Sequence, residues 1–593
     1  MVLLRSRWFW LSILPLLGYA CLVMVLLPSQ RDCDCDCIGN CRKDKHSCAQ
    51  HATMSASTHS SATDIDVGSS NDAPQVEALF LIKFDKKVGY TIAWKRTASD
   101  TDLDGVEYKS LPSGLHSLAS DLVYFTHAGF AGLSAFARGD ASEADRNANF
   151  VSVGMLVRRE GRFGRLGRGW LLAGRLEKLA AALAQDESTA PLEEFWADQT
   201  SRPKAKHADS KGSLRLRDRA ISTVMAIPKD EERLPEYHPA LAILQYLDLF
   251  GPLVFRLQQA ALLRKRILFV GSPPVRTTCE FVYNLSVLSS ISPRDAEQLA
   301  PGTEDLLRLP SLFSIGVHDI TYLEELRNPK GGHTPGNDAA EGWVACTTDE
   351  IIATKPKLYD IVVEIPHGSD SQPQQRQWPK LRTNEGHMIK ASQRDVARYK
   401  LLHRELWKHR QQATETFHDE DEQNDDAAPL ISHDEIDAKR ADEDFNEAYD
   451  DTAVEPTTWS RLAYQGFMWW ASAGERDAYT KAERDLDREL VGDISAYEDS
   501  VETAVIAYFH RQSSLIINVI AQLLESEHEN EEREGEDDDA LWIDRDDLSR
   551  MGLDTWSEAD RAYVQEFGSL YFNRRVEIRG NEVDCCGLRV PLL

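Results

Sequence analysis

The 593 residues contain no His-Glu-x-x-His, no Gly-x-Ser-x-Gly and no Gly-x-x-x-x-Gly-Lys-Ser/Thr. Their absence removes the zinc-helix proteases, the hydrolases built on a nucleophile elbow and the phosphate-loop NTPases. Cysteine is scarce over most of the chain: between residues 49 and 584 only Cys279 and Cys346 occur, which excludes a disulfide framework there. Paired C-x₂₋₄-C knuckles are missing, and only Cys37 and Cys41 come near that spacing, so no zinc site is expected. No basic stretch is interleaved with aromatics, which argues against a nucleic-acid partner. After the first thirty residues no apolar run reaches the length of a membrane span. Val501–Leu524 comes nearest, but His510, Arg511 and Gln512 interrupt it, so it reads as a core helix.

What the chain has in excess is acid. The formal net charge is −29, and it is concentrated. Residues 411–455 hold 17 acidic and 2 basic side chains, and residues 525–547 hold 13 and 2. The remainder is close to neutral. The charge therefore predicts two solvated, disordered insertions and not a cationic partner.

Trp8–Leu27 is twenty residues without a charge, preceded by Arg5 and Arg7. Three readings stay open: a single-pass anchor, a signal peptide, or a segment that the cell does not translate. Cys33, Cys35, Cys37, Cys41 and Cys48 follow, with acylation or no role favoured over metal binding. Residues 52–74 are Ser, Thr, Ala and Asp, a linker.

The most informative stretch is Leu253–Ser290, which reads as helix, strand, loop and helix. Ile267, Leu268, Phe269 and Val270 form a continuous apolar run, as a strand covered on both faces requires. Gly271 and two prolines then precede a helix, an order that invites a phosphate-binding reading. Yet Arg276, Thr277 and Thr278 stand where Gly, Lys and Ser/Thr are needed, and Pro273 and Pro274 remove two N–H donors. A buried crossover in an α/β sheet is expected, with no direct nucleotide binding. Cys279 sits among Phe281, Val282 and Leu285 and is expected to be a buried, inert thiol.

Upstream of it, Glu77–Asp85 and Tyr90–Arg96 form a predicted hairpin. Gly105–His116 reads as a strand entering a turn, and Leu122–Thr126, Gly132–Ala137 and Phe150–Val157 as further strands. A helix follows over 170–185, and residues 186–220 look connective. Arg158, Arg159, Arg162, Arg165, Arg168 and Arg175 crowd the last strand and this helix. They suit anionic lipid or an acidic partner, with a solvated loop as the plainer reading. Downstream, His238–Phe250 is an amphipathic helix and Leu312–Ile320 a strand and turn. Gly342–Pro366 gives strand, helix and strand, and helices are expected over 391–409, from Trp459, over Val501–Leu524 and within Leu548–Asn573.

GVEYKSLPSGLH (105–116), FGPLVFRLQQAALLRKRILFVGSPPV (250–275), SLFSIGVHDI (311–320), GWVACTTDEI (342–351) and MGLDTWSEADRAYVQEF (551–567) together resemble the LCHN-type branch of the DENN-domain proteins. The resemblance implies an α/β multidomain fold with a longin-like α+β module, a central DENN α/β module and a mostly helical downstream module. The chain then divides into a hydrophobic segment (1–28), a cysteine-bearing linker (29–75), the longin-like module (76–190), a linker (191–235) and the central module (236–330). The downstream module takes up 340–410, 456–524 and 548–575, with the acidic insertions 411–455 and 525–547 between its parts. The resemblance further implies a guanine nucleotide exchange factor that binds the switch regions of a Rab-type GTPase in vesicle traffic. The alternative is a non-catalytic adaptor using the same longin-like surface for a small GTPase or a membrane. Glu107, Lys109, His116, Arg158 and Arg159 are the candidate partner-binding residues. No cofactor and no metal are expected, and the expected location is cytoplasmic, on intracellular membranes.

Overall fold

Short apolar strands from across the chain assemble into a single 11-stranded sheet in the computed structural model. The structure describes residues 74–139 apart from 86, 113, 115 and 116, then 149–159, 165–201 apart from 187, 234–327, 342–366 and 377–416. It also describes 452–457, 461–462, 466, 481–492, 501–534, 540–579, 582–585 and 588–591. The strands are β1 (Val76–Asp85), β2 (Gly89–Thr97), β3 (Ser120–His127), β4 (Phe130–Arg138), β5 (Phe150–Val157), β6 (Ile267–Val270), β7 (Ser311–Ser314), β8 (Val344–Thr347), β9 (Ile361–Glu364), β10 (Lys380–Thr383) and β11 (Met388–Ile389). Their order is β11-β10-β9-β6-β8-β7-β3-β4-β5-β1-β2.

The sheet has two characters. From β3 to β2 every pairing is antiparallel, whereas β6 runs parallel to both β8 and β9, and β7 parallel to β8. The halves meet at β3 and β7, antiparallel, through the pair Phe125↔Phe313. Phe313 holds a left-handed backbone (φ 60°) and is fully buried at this joint. As the continuous apolar run of β6 predicts, Ile267, Leu268 and Phe269 are all buried.

Val275–Leu288 returns over the sheet and packs on β3, β7 and β8, while Ala173–Gln185 covers β4 and β5. Cys279 lies in the first of these helices, buried, with its Sγ 3.5 Å from the Tyr124 carbonyl and 3.5 Å from Cys346 Sγ. Burial pushes this thiol well above its ordinary pKa, as expected of an inert cysteine. Asn284-Leu285-Ser286, which has the Asn-x-Ser pattern of a glycosylation acceptor, is shut inside the same helix. Asn284 is fully buried and donates to the Pro239 carbonyl at 3.3 Å.

Downstream helices pack on the far side of Leu253–Leu262. They are Gln393–Thr416, Lys481–Val491, Val501–Glu534, Arg545–Arg550 and Glu558–Phe572, with a small parallel pair, β12 (Ala540–Ile543) and β13 (Arg575–Ile578). Ser557 caps Glu558–Phe572 by accepting from the Asp560 N–H. Arg256 fastens this layer to the sheet. Its guanidinium bonds Asp560 (2.6 Å) and Asp395 (3.0 Å), and the Ser557 hydroxyl at 3.1 Å, and all four groups are buried.

Several expectations need correcting. Gly105–His116 does not start as a strand: Val106–Lys109 is a single helical turn, because Gly105 takes a left-handed backbone (φ 81°) that turns the chain into it. Residues 190–201, expected to be connective, form a helix whose Leu192 and Phe195 are buried and whose Glu193 accepts from Trp94 Nε1 at 3.1 Å. The acidic stretch 525–547 is not wholly disordered. Helix Val501–Glu534 continues through its first part, and Ala540–Ile543 and the start of Arg545–Arg550 occupy its end. Once the apolar part of a helix is anchored, each further glutamate only propagates it and nucleates nothing. Residues 411–416 extend a helix in the same way, and Val454 bridges to Ala391. β8 to β11 belong to the same sheet as β6. Residues 417–451 and 535–539, Trp459 and the segment Trp8–Leu27 lie outside the described residues. Among the described residues no single helix is long and apolar enough to cross a membrane.

Candidate interaction surface at the sheet joint

The turn Val106–Lys109 is fixed from below. Val106 is fully buried with Phe80, Ile82, Leu103 and Phe125. The Ser110 carbonyl accepts from two buried hydroxyls, Ser134 Oγ (2.6 Å) on β4 and Ser152 Oγ (3.1 Å) on β5. Two serines inside otherwise apolar strands thus serve as a socket for this turn, each satisfied at a carbonyl that would otherwise be orphaned.

Above the socket, the turn meets the segment after β7, residues 316–322. Asp319 accepts from the Gly316 N–H at 2.9 Å and from Lys109 Nζ at 2.5 Å. Lys109 also donates to the Thr126 carbonyl at 3.3 Å and lies 5.9 Å from the Tyr322 ring. Tyr108 stacks on His318, with ring centres 4.0 Å apart. Although held in this way, the aromatic faces stay open to solvent: Tyr108 is 47% and Tyr322 46% exposed, and Val317 is 37% exposed beside them. Burial raises the Tyr322 phenol above its usual pKa, Arg159 opposes this, and Asp319 adds to it. Arg159 is near enough for its charge to act on the Tyr322 phenol, and burial lowers its own pKa. His127, below Lys109, rests its Nε2 3.0 Å from the Asp102 carbonyl. Burial and then the Lys109 charge hold it below the ordinary histidine range.

Of the residues singled out from the sequence, Lys109 and Arg159 come together here. Glu107 sits in the same turn, half-buried, with one carboxylate oxygen turned inward. Arg158 faces elsewhere: it bonds Glu77 at 2.7 Å and neutralises a carboxylate that is 1% exposed. His116 lies outside the described residues. The arginine run is largely consumed by structure. Arg165 donates to the hydroxyls of Ser286 and Ser290 and to the Ser286 carbonyl, and Arg175 pairs with Asp198. Sequence reasoning missed Tyr108, Val317, His318 and Tyr322, although the first three lie inside the motifs GVEYK and SIGVHDI. Charge drew attention there, while exposed aromatics carry the contact energy of most interfaces.

The strand–turn–helix after β6 does not offer its helix N-terminus to a phosphate. Asp121, from β3, already sits there, accepting from the Val275 N–H at 2.7 Å and the Arg276 N–H at 3.3 Å. A protein carboxylate thus takes the place that an anion would occupy on the helix dipole. Among the described residues no group of three or more His, Cys, Asp and Glu is placed to hold a metal ion.

Comparison with known proteins agrees with this architecture. The profile of the DENN domain-containing protein 11 family matches residues 79–375, and that of a domain of unknown function matches 454–591. DENN domain-containing protein 11 of Xenopus laevis is 31% identical over 307 residues, which cover 49% of this chain and 61% of that protein. The Rattus norvegicus protein of the same name is 30% identical over 49% of this chain and 57% of its own length. The match therefore spans about three fifths of these relatives. Uncharacterized protein ANR2 of Saccharomyces cerevisiae is 24% identical, over 88% of this chain and 96% of its own. With half of its length matched by that profile, and with the strands and helices of a mixed α/β domain in place, the chain belongs to the DENN domain-containing protein 11 family.

Proposed function

We propose that the protein is a guanine nucleotide exchange factor for a Rab-type small GTPase, acting in vesicle traffic at the cytoplasmic face of intracellular membranes. Tyr108, Val317, His318 and Tyr322 form the contact surface in this reading, with Lys109, Glu107 and Arg159 around them. The observation that carries it is the convergence of two distant motifs, 105–109 and 316–322, into one solvent-facing aromatic cluster at the joint of the sheet. Exchange needs no acid, base or metal of the protein's own. It needs a surface that binds the nucleotide-free conformation of the GTPase better than the loaded one, so that GDP release is favoured. A rigid aromatic pair backed by a cation suits such a task, because it loses little side-chain freedom on binding.

The test is GDP release from a panel of Rab proteins with the full chain added. The expected result is acceleration for at least one member. Tyr108→Ala and Tyr322→Ala each lower the effect about 10- to 30-fold, the range of a single aromatic anchor. Binding without acceleration would make the protein an adaptor. Failure to bind any member sinks the exchange-factor reading and leaves the adaptor only a membrane or another small GTPase as its target.

A further inference from the structure

The layer between the sheet and the downstream helices contains a cavity of about 10 Å³, room for one water-sized group. Phe255 and Gln258 line it from Leu253–Leu262, Arg398 from Gln393–Thr416, Gln512 and Ser513 from Val501–Glu534, and Tyr563 from Glu558–Phe572. Three of these side chains carry a buried polar atom with no partner in the protein: Arg398 Nε, Gln512 Nε2 and Tyr563 Oη. Each residue is at least 95% buried. Leaving three such atoms unsatisfied in one place is costly, and native interiors rarely do so.

We propose that this cavity is a binding site for one internal water, which joins three of the downstream helices to one another. These three atoms meet three of the water's four hydrogen-bonding positions. Arg398 Nε and Gln512 Nε2 are donors, and a water oxygen has two lone pairs to accept from them. One water O–H then donates to Tyr563 Oη. The other polar groups nearby are already engaged: Gln258 Nε2 and Ser513 Oγ both donate to the Phe509 carbonyl. The remaining face of Arg398 is fixed as well, since its guanidinium lies 4.3 Å over the Phe255 ring and its Nη2 bonds Asp395.

The electrostatics favour a neutral occupant over an anion. Arg256 and Arg398 are the two cations of the surrounding network, and Asp395, Asp560 and Glu455 are its three carboxylates. Burial drives Asp560 above its ordinary range, Arg256 opposes this and the Asp395 charge adds to it, and the three carboxylates outnumber the two cations. A halide would add to that charge. A water adds none, and three of its four hydrogen-bonding positions find a partner in the lining.

Crystals of the full chain, diffracting to about 2 Å and grown in chloride and in bromide, test this. The expected result is one spherical peak within about 3.2 Å of Arg398 Nε, Gln512 Nε2 and Tyr563 Oη, without anomalous signal in bromide. The double variant Gln512→Leu with Tyr563→Phe should lose the peak and melt about 2 °C lower, and Tyr563→Phe alone should keep it. A bromide peak in the cavity overturns the assignment in favour of an anion site. A cavity without density, its donors turned to one another, overturns it outright.

Discussion

His238 shows how one side chain can carry a measurable pH dependence. Its Nδ1 accepts from the Ala240 N–H at 3.1 Å, capping a short 3₁₀ turn, and its ring packs edge-on against Trp170 and Tyr283. An imidazole that accepts at one nitrogen must be neutral there, and burial lowers its pKa from 6.5 to about 4. The unfolded chain thus binds more protons than the folded one between these values. Stability is fully present above about pH 6.5 and is lost as the pH falls toward 4, by about 3 kcal/mol for this group. Half-buried His510 and buried His127 are shifted the same way and add to the slope. His238→Asn keeps a capping oxygen but cannot titrate, so its urea midpoint should depend less on pH across this window. An unchanged slope in the variant would refute the assignment. The same lesson about environment applies to the arginines. From the sequence Arg158 and Arg159 look alike, yet Arg158 neutralises buried Glu77 while the Arg159 charge acts on the Tyr322 phenol. Nothing in local sequence separates them, because the difference lies in a strand and a helix far away along the chain.

At the level of elements, most strands were legible because apolar runs and turn residues mark them directly. β1 to β9 all coincide with predicted strands apart from small shifts at their ends. The features that were not legible depend on distant partners. The turn Val106–Lys109 exists because Ser134 and Ser152 anchor its end. Helix Ala190–Ser201 looks polar enough for a linker, and only Leu192 and Phe195 tie it down. The interaction surface was legible as motifs but not as a site, since residues 105–109 and 316–322 meet only through the single pairing of β3 with β7. The motif GWVAC has a similarly physical basis. Gly342 passes so close to the helix end before β6 that an added Cβ would stand 1.9 Å from the Arg264 carbonyl oxygen. Directly beyond, the Ile267 N–H donates to the Trp343 carbonyl at 2.8 Å and sets the register of β6 on β8. Gly342→Ala should therefore push these strands apart and cost about 3 kcal/mol, at the upper end for overpacking. Chemical denaturation checks this, and a loss below about 1 kcal/mol would mean that the backbone can move aside.

Across the whole molecule, the sheet and the downstream helices are joined by buried charge as well as by apolar packing. Arg256 reaches Asp560 and Asp395, and Arg398 bonds Asp395 at 2.5 Å, so helices from residues 253, 393 and 558 onward share one network. The two carboxylates respond differently. Burial raises both, but for Asp395 the charges of Arg256 and Arg398 overcome burial and hold its pKa below the ordinary value, while Asp560 stays above. Asp395 thus contributes stability that is present above the usual carboxylate range and lost in acid, and Asp560 opposes it. Such a network adds little over a well-packed apolar core, but breaking it leaves charges stranded. Arg256→Met leaves buried Asp560 without a cation while Asp395 keeps Arg398, and a loss of about 3 kcal/mol is expected. Arg96→Met removes an ion pair to Glu193 in which both side chains are more than 40% exposed, and should cost less than about 1 kcal/mol. Urea unfolding of the two variants side by side reads this contrast directly. Hydrogen exchange in the Arg256→Met chain should then quicken first in Glu558–Phe572 and at the start of Gln393–Thr416, ahead of β6 and β8, because those helices lose their tie while the sheet keeps its own hydrogen bonds. Equal losses in the two variants, or exchange that quickens uniformly, would show that apolar packing alone holds the seam.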